Sequence, residues 1–135
     1  MRTFDAGVVN AIANAPGVPE LFGVDAFDFT SAIQKRSNIF LESNGAVGIF
    51  DWSAPGVFEG HLLFSPQCRG LRAFREASRM RDYMFAHHAG MLWAQPPVAN
   101  EAGRRLVQML GFDHAGFGEN DLLGPVEYFQ CRRFS

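Results

Sequence analysis

The sequence predicts an α/β fold, a mixed and mostly antiparallel central sheet flanked by helices, and three observations predict it. Residues 39–64 carry three short apolar runs separated by Asn44-Gly45 and by Ser53-Ala54-Pro55-Gly56, which reads as an antiparallel meander. Residues 71–112 then read as helix, short strand and helix, and the chain finishes in two further strand signals. The resulting order is helix, three strands, helix, strand, helix, two strands, a mixed arrangement rather than a repeated βαβ unit. A chain of 135 residues fits one domain, 1–135, with one sizeable core.

Phe4 to Ala13 reads as the first helix, with Val8, Val9 and Ile12 on one side. Asn14-Ala15-Pro16-Gly17 ends it, and Pro19 keeps it from resuming. Leu21, Phe22, Val24, Phe27 and Phe29 are too apolar for a solvated linker and are expected to cover the edge of the sheet. Thr30-Ser31 caps a helical turn reaching Arg36. Strands are expected over Ile39 to Leu41, Ala46 to Trp52 and Val57 to Phe64, the first two joined by Asn44-Gly45, where both residues tolerate positive φ. Ser65 to Gly70 is a loop, and Leu71 to about Phe85 a helix with Leu71, Phe74, Ala77, Met80 and Met84 inward.

Met91 to Ala94 is an apolar run too short for a helix, stopped by Pro96 and Pro97. Asn100 stands at a helix N-cap, Ala102, Leu106, Met109 and Leu110 share one face, and Gly111 closes the helix. Asp113 to Gly116 reads as a strand, Phe117 to Pro125 as a Gly- and acid-rich loop, and Val126 to Phe134 as the last strand. A strand ahead of the first helix is missing or reduced to Met1–Thr3.

Composition excludes several classes. A hydrophobic fraction of 47% is too high for disorder, and fourteen phenylalanines imply an aromatic-rich core. A formal net charge of −2 argues against a nucleic-acid binder. No run reaches the roughly 20 apolar residues that span a bilayer, and the N-terminus lacks a signal-peptide core, so a cytoplasmic protein is expected. Cys68 and Cys131 fit no metal-ligand spacing; they read as reduced thiols, with a Cys68–Cys131 disulfide as the alternative. No metal set is expected; His87-His88 reads as a polar helix end, His114 has no evident partner, and Trp52 and Trp93 read as core aromatics.

Two stretches carry candidate chemistry. Glu59 and His61 are two apart on a strand and share a face, where either can take a proton from an amine. The loop Ser65–Gly70 leads into a helix whose free N–H groups form an anion site, with Arg69 and Arg72 supplying charge. The bland reading is a wet strand face and a turn glycine with solvated arginines.

Asn100, Gly103, Leu106, Gly111 and Phe112 resemble the N-x-x-A-x-x-L-Y-x-x-x-G-F segment of the GCN5-related N-acetyltransferases, with Val107 at the position of the tyrosine that commonly protonates the leaving thiolate. The likeness covers about 38–134. Pro66, Arg69 and Gly70 resemble part of that family's pyrophosphate loop; counted from Gln67, Gly70 falls correctly and Arg72 stands where a small residue is usual. An E-x-H pair before P-x-x-R-G also resembles small acetyltransferase-like proteins of phages and prophages.

The resemblance implies acetyl transfer from acetyl-CoA to a small-molecule or peptide amine. Glu59 or His61 would be the base, and Tyr128 a stand-in acid. Backbone amides from Arg69 through Gly70, Leu71 and Arg72 to Ala73 would hold the pyrophosphate, with Asn100 near the cofactor. The strand through Leu62 and Phe64 would run beside the pantetheine, admitted where that strand splays from Met91–Gln95. Loss of the tyrosine and of the small loop residue keeps open a non-catalytic member of the fold, structural or acyl-CoA-binding. The acceptor loops would be Val18–Arg36 and Phe117–Pro125, and a homodimer would pair through the aromatic final strand.

Overall fold

The computed structural model describes residues 1–133. Its elements are α1 (Ala6–Ala13), α2 (Val18–Leu21), α3 (Thr30–Gln34), β1 (Ile39–Ser43), β2 (Ala46–Ala54), β3 (Val57–Phe64), α4 (Leu71–His87), β4 (Met91–Ala94), α5 (Glu101–Met109), β5 (Asp113–Asn120) and β6 (Gly124–Arg132). The strands form one six-stranded sheet in the order β1-β2-β3-β4-β6-β5. Neighbours are antiparallel except β3 and β4. The predicted architecture is the one observed.

Strand alternation sends two apolar sets to opposite faces. On one face Phe50, Phe58 and Leu92 pack against Met80 and Met84 of α4. On the other Phe40, Val47, Ile49 and Leu63 pack against Val9 of α1 and the segment through α3. The aromatic segment before α3 packs on this second core against β1, an edge strand of the sheet: Phe27 and Phe29 stack at 5.4 Å, and Phe29 meets Phe40 edge-on. Asn10 of α1 and Asn14, the C-cap of that helix, hold it there, Asn14 through Phe27 N–H and C=O and Asn10 through Phe29 N–H. Leu21, Phe22 and Val24 remain exposed.

Several boundaries move for local reasons. α1 begins at Ala6, because Asp5 acts as its N-cap and accepts from Gly7 and Val8 N–H. The strand ahead of α1 is indeed only a remnant: Arg2 bridges Leu41, and Thr3 N–H donates to Phe40 C=O. Residues 117–120 are strand, not loop. Gly118 makes this possible, since a Cβ there would lie 2.6 Å from the Tyr128 ring; the missing side chain leaves room for Tyr128 across the hairpin. β6 ends at Arg132, and the expected continuation to Phe134 lies outside the described residues. β6 sits between β4 and β5, so pairing between subunits through it is closed; the edge strand on this side is β5. Trp52 is 49% exposed and is not a core residue.

Where β3 meets β4, the paired register runs only Val57–Met91, Phe58–Leu92 and Glu59–Trp93. β3 continues to Phe64, whereas the chain after β4 turns toward β6, with Glu127 N–H donating to Pro96 C=O. The two strands therefore part just beyond Glu59. This is the splay expected between the strand ending at Phe64 and Met91–Gln95.

Candidate active site

The polar cluster at the splay follows from register. Gly56, at φ 72°, turns β2 back into β3 and places Asp51 directly opposite Glu59. Two carboxylates directly opposite each other repel, and His61, two residues on along the same face, meets both. Its Nε2 lies 3.2 Å from Asp51 Oδ2 and 3.7 Å from Glu59 Oε2. Glu59 is held from the far side of the splay, where Gln95 Nε2 donates to its Oε2 at 2.8 Å. Asn120 Nδ2 in turn donates to Gln95 Oε1 at 3.2 Å. The side chain of Glu59 is 14% exposed, while His61 and Asp51 are 42% and 45% exposed. The imidazole is thus reachable and the glutamate is anchored.

Burial alone would lower the pKa of His61, but the Asp51 hydrogen bond and the charges of Glu59 and Asp51 outweigh it, and the net shift is upward from 6.5. One donor atom each from Asp51, Glu59 and His61 lies within 4.8 Å of the others, so this set could hold a divalent cation, a possibility the sequence pattern did not suggest.

The loop after β3 turns on Ser65, whose C=O accepts from Cys68 N–H, and Gly70 enters α4 at φ 58°. Gly70 is the N-cap of α4 and brings no side-chain hydrogen bond to the first turn. The N–H groups of Leu71, Arg72 and Ala73 thus lack an intrahelical partner and a side-chain cap. Arg69, Arg72 and Leu71 are exposed, and Ala73 is buried against the sheet. Leu62 and Phe64 pack their side chains into the α4 core, so it is their backbone that borders the splay. Asn100 caps α5 as expected, accepting from Gly103 N–H at 2.9 Å.

Tyr128 stands two strands from β3, its ring 6.5 Å from that of Trp93, the register partner of Glu59. Trp93, Tyr128, Met91 and Gln130 line a shallow cleft of about 270 Å³. Trp93 is only half buried and donates from Nε1 to Ser53 Oγ.

Sequence reasoning found Glu59 and His61 but missed Asp51, Gln95 and Asn120. Asp51 was recoverable by counting outward from the Pro55-Gly56 turn; Gln95 and Asn120 depend on a non-local strand order. His114 does have a partner. Its Nδ1 lies 2.7 Å from Oε2 of the buried Glu127, whose Oε1 accepts from Arg104 at 3.2 Å and so ties α5 to β6. α4 runs on through His87 to a C-cap at His88, and both cysteines are buried.

No family model matches the chain, and no curated protein matches it either. Solved structures do. The chain superposes on the crystal structure of aminoglycoside acetyltransferase AAC(6')-Ib in complex with coenzyme A, with a TM-score of 0.77, 16% identity, and 99% of this chain and 92% of that one covered. It also superposes on a chimera of spermidine N-acetyltransferase SpeG from Vibrio cholerae and hSSAT, with a TM-score of 0.66, 14% identity, and coverage of 78% and 73%. A SpeG point mutant from Vibrio cholerae gives 0.64, 16%, 78% and 71%. The fold is that of the GCN5-related N-acetyltransferases. At such identities the likeness shows the GNAT-like architecture alone and leaves the chemistry to this chain's own residues. Among the described residues, no helix is long and apolar enough to cross a membrane.

Proposed function

We propose that this protein is an N-acetyltransferase that moves the acetyl group of acetyl-CoA to the amine of a small molecule. The observation that carries the reading is the meeting, at one opening of the sheet, of an accessible imidazole flanked by two carboxylates and a parted pair of parallel strands. The similarity to amine acetyltransferases supports it.

The parts fit acetyl-CoA. The uncapped start of α4, with the amides of Arg69, Gly70, Leu71, Arg72 and Ala73 and the two guanidinium groups, would hold the diphosphate. The β3 backbone at Leu62 and Phe64 would face the pantetheine, with Asn100 bordering the cofactor from α5. The bulk of Arg72 at the usual small position costs little there, because its side chain is exposed rather than turned into the loop.

In the reaction an amine nitrogen attacks the thioester carbonyl while His61 takes its proton. Collapse breaks the C–S bond, releasing the amide and the thiolate of coenzyme A. The anchored, negatively charged Glu59 stabilises the imidazolium that forms. Tyr128 stands in as the proton donor to the thiolate, since Val107 occupies the usual tyrosine position. Asp51 and Glu59 also favour an acceptor that arrives as a cation.

Thiol release from acetyl-CoA, measured over a panel of polyamines and aminoglycosides, tests the reading. Transfer to at least one amine is expected, with H61A lowering kcat/KM by roughly 10²–10⁴. Acetyl-CoA binding without transfer, or with H61A fully active, contradicts the assigned chemistry. Absence of binding favours the non-catalytic reading, to which the loss of the tyrosine at Val107 points.

A further inference from the structure

Three donor side chains of unlike chemistry meet on one face of the β2–β3 pair. Asp51 and Glu59 are register partners, and His61 follows Glu59 by two residues along β3. One ligand atom from each lies within 4.8 Å of the others. His61 Nε2 is 3.2 Å from Asp51 Oδ2 and 3.7 Å from Glu59 Oε2. Metal bonds of about 2.1 Å to nitrogen and oxygen would span those two separations at angles of about 100° and about 120°, on either side of tetrahedral. Opposed carboxylates repel, and a divalent cation between them removes that repulsion. The imidazole decides the kind of cation. Carboxylate oxygens alone suit Mg2+ and Ca2+, whereas a ring nitrogen suits zinc-type ions. The three ligands hold one side of such an ion, and the exposure of His61 and Asp51 leaves its other side to water.

Residues outside the three fix one of the ligands. Asn120 Oδ1 accepts from the N–H groups of Leu122 and Leu123, so its Nδ2 is turned outward to donate. Gln95 Oε1 takes that bond at 3.2 Å, which leaves Gln95 Nε2 to donate to Glu59 Oε2 at 2.8 Å. The orientation of each amide is thus set by the next, back to the turn between β5 and β6. Glu59 is presented as an acceptor, the form a metal ligand needs, and outer hydrogen bonds of this kind hold ligating carboxylates in place.

We propose that Asp51, Glu59 and His61 bind one divalent ion of the zinc type, and that this ion excludes acetyl transfer by occupying the imidazole. A neutral imidazole has one nitrogen lone pair. Once a metal holds it at Nε2, none is left to take a proton from the amine. The inhibitory half of this statement rests on the acetyltransferase reading; the metal site does not.

Isothermal titration of the full chain with ZnCl2, without acetyl-CoA, counts the sites and ranks the ligands. A single saturable zinc site per chain is expected, with MgCl2 binding weaker by about tenfold or more. H61A, D51N and E59Q should each weaken zinc by about tenfold or more, and Q95A by roughly tenfold through the loosened Glu59. H114A and the double exchange H87A/H88A remove the other imidazoles of the chain and should leave the affinity within about twofold. Thermal unfolding of each variant separates a lost ligand from a lost fold; D51N is close in shape to the parent at an exposed position and should keep its Tm while losing zinc. No saturable uptake of zinc, a site that survives H61A or D51N, a site lost in H114A, or equal affinity for MgCl2 overturns the proposal. With an acetylated amine in hand, Zn2+ should suppress formation of the acetylated product over the concentration range of its binding, and EDTA should restore the rate. Full activity at saturating Zn2+ overturns the exclusion. If no amine is acetylated, the functional reading fails while the titration still decides the metal site.

Discussion

Removing the carboxylate of Glu76 should loosen the turn of the β1–β2 hairpin from α4 while the apolar core between them holds. Glu76 is buried in the second turn of that helix, where its Oε1 accepts from Ser43 Oγ at 2.7 Å and its Oε2 from Asn44 Nδ2 at 3.1 Å. A hydrogen bond to a charged group contributes roughly 1.5–3 kcal/mol. Ser43 is only half buried and Asn44 is exposed, so both regain water when the acceptor goes, which about halves the loss. The Arg79 contact, at 3.6 Å and with Arg79 57% exposed, adds little. Glu76→Ala should therefore cost about 2–3 kcal/mol, read as a lower urea midpoint with an unchanged slope.

The pH dependence supplies a sharper check on the same residue. Burial by itself raises the Glu76 pKa, but the Ser43 and Asn44 bonds and the charges of Arg79 and Arg75 outweigh it and hold the carboxyl below 4.5. A depressed carboxyl stabilises the fold above its unfolded pKa and loses that contribution as pH falls through the folded value. The stability gap between the parent and Glu76→Gln should be full at neutral pH and close in acid. A gap below about 0.5 kcal/mol, or one that does not change on acidification, would refute the reasoning.

Three other perturbations follow from named contacts. Asn100→Ala removes the α5 cap and should cost about 1 kcal/mol in the same urea assay. Gly103→Ala should be destabilising too, because its Cβ would lie 2.6 Å from Asn100 Nδ2 and push the cap aside. Arg104→Met leaves the buried Glu127 with only His114 and should cost roughly 3 kcal/mol, and pairing it with Glu127→Leu should recover most of that loss.

The architecture was legible because its signals are local. Asn44-Gly45 and Pro55-Gly56 fixed the meander, and the apolar spacing of Met80 and Met84 placed α4. The two strands of the β5–β6 hairpin were legible at Asp113–Gly116 and from Val126 on, but its outer part was not: Phe117 and Gly118 look like loop residues, and the Tyr128 ring across Gly118 explains the glycine there. Asp5 was passed over as a cap because the apolar spacing drew the helix start to Phe4. In the site, the Glu59–His61 pair was readable from the two-residue period alone. Gln95 reaches Glu59, and Asn120 reaches Gln95, only because β4 diverges from β3 and β5 lies at the sheet edge, and neither fact is written near those residues. His114 and Arg104 meet at Glu127 for the same reason, through the pairing of β5 with β6 and the packing of α5.

The measurement that bears most directly on the central claim is thermal unfolding of the protein with and without acetyl-CoA. Binding to the folded state alone should stabilise it by about 2.7 kcal/mol at a ligand concentration 100 times Kd, so Tm should rise progressively with acetyl-CoA and far less with acetate. An unchanged Tm at millimolar acetyl-CoA would contradict the account, leaving an acetyltransferase fold whose uncapped helix and parted strands hold no coenzyme.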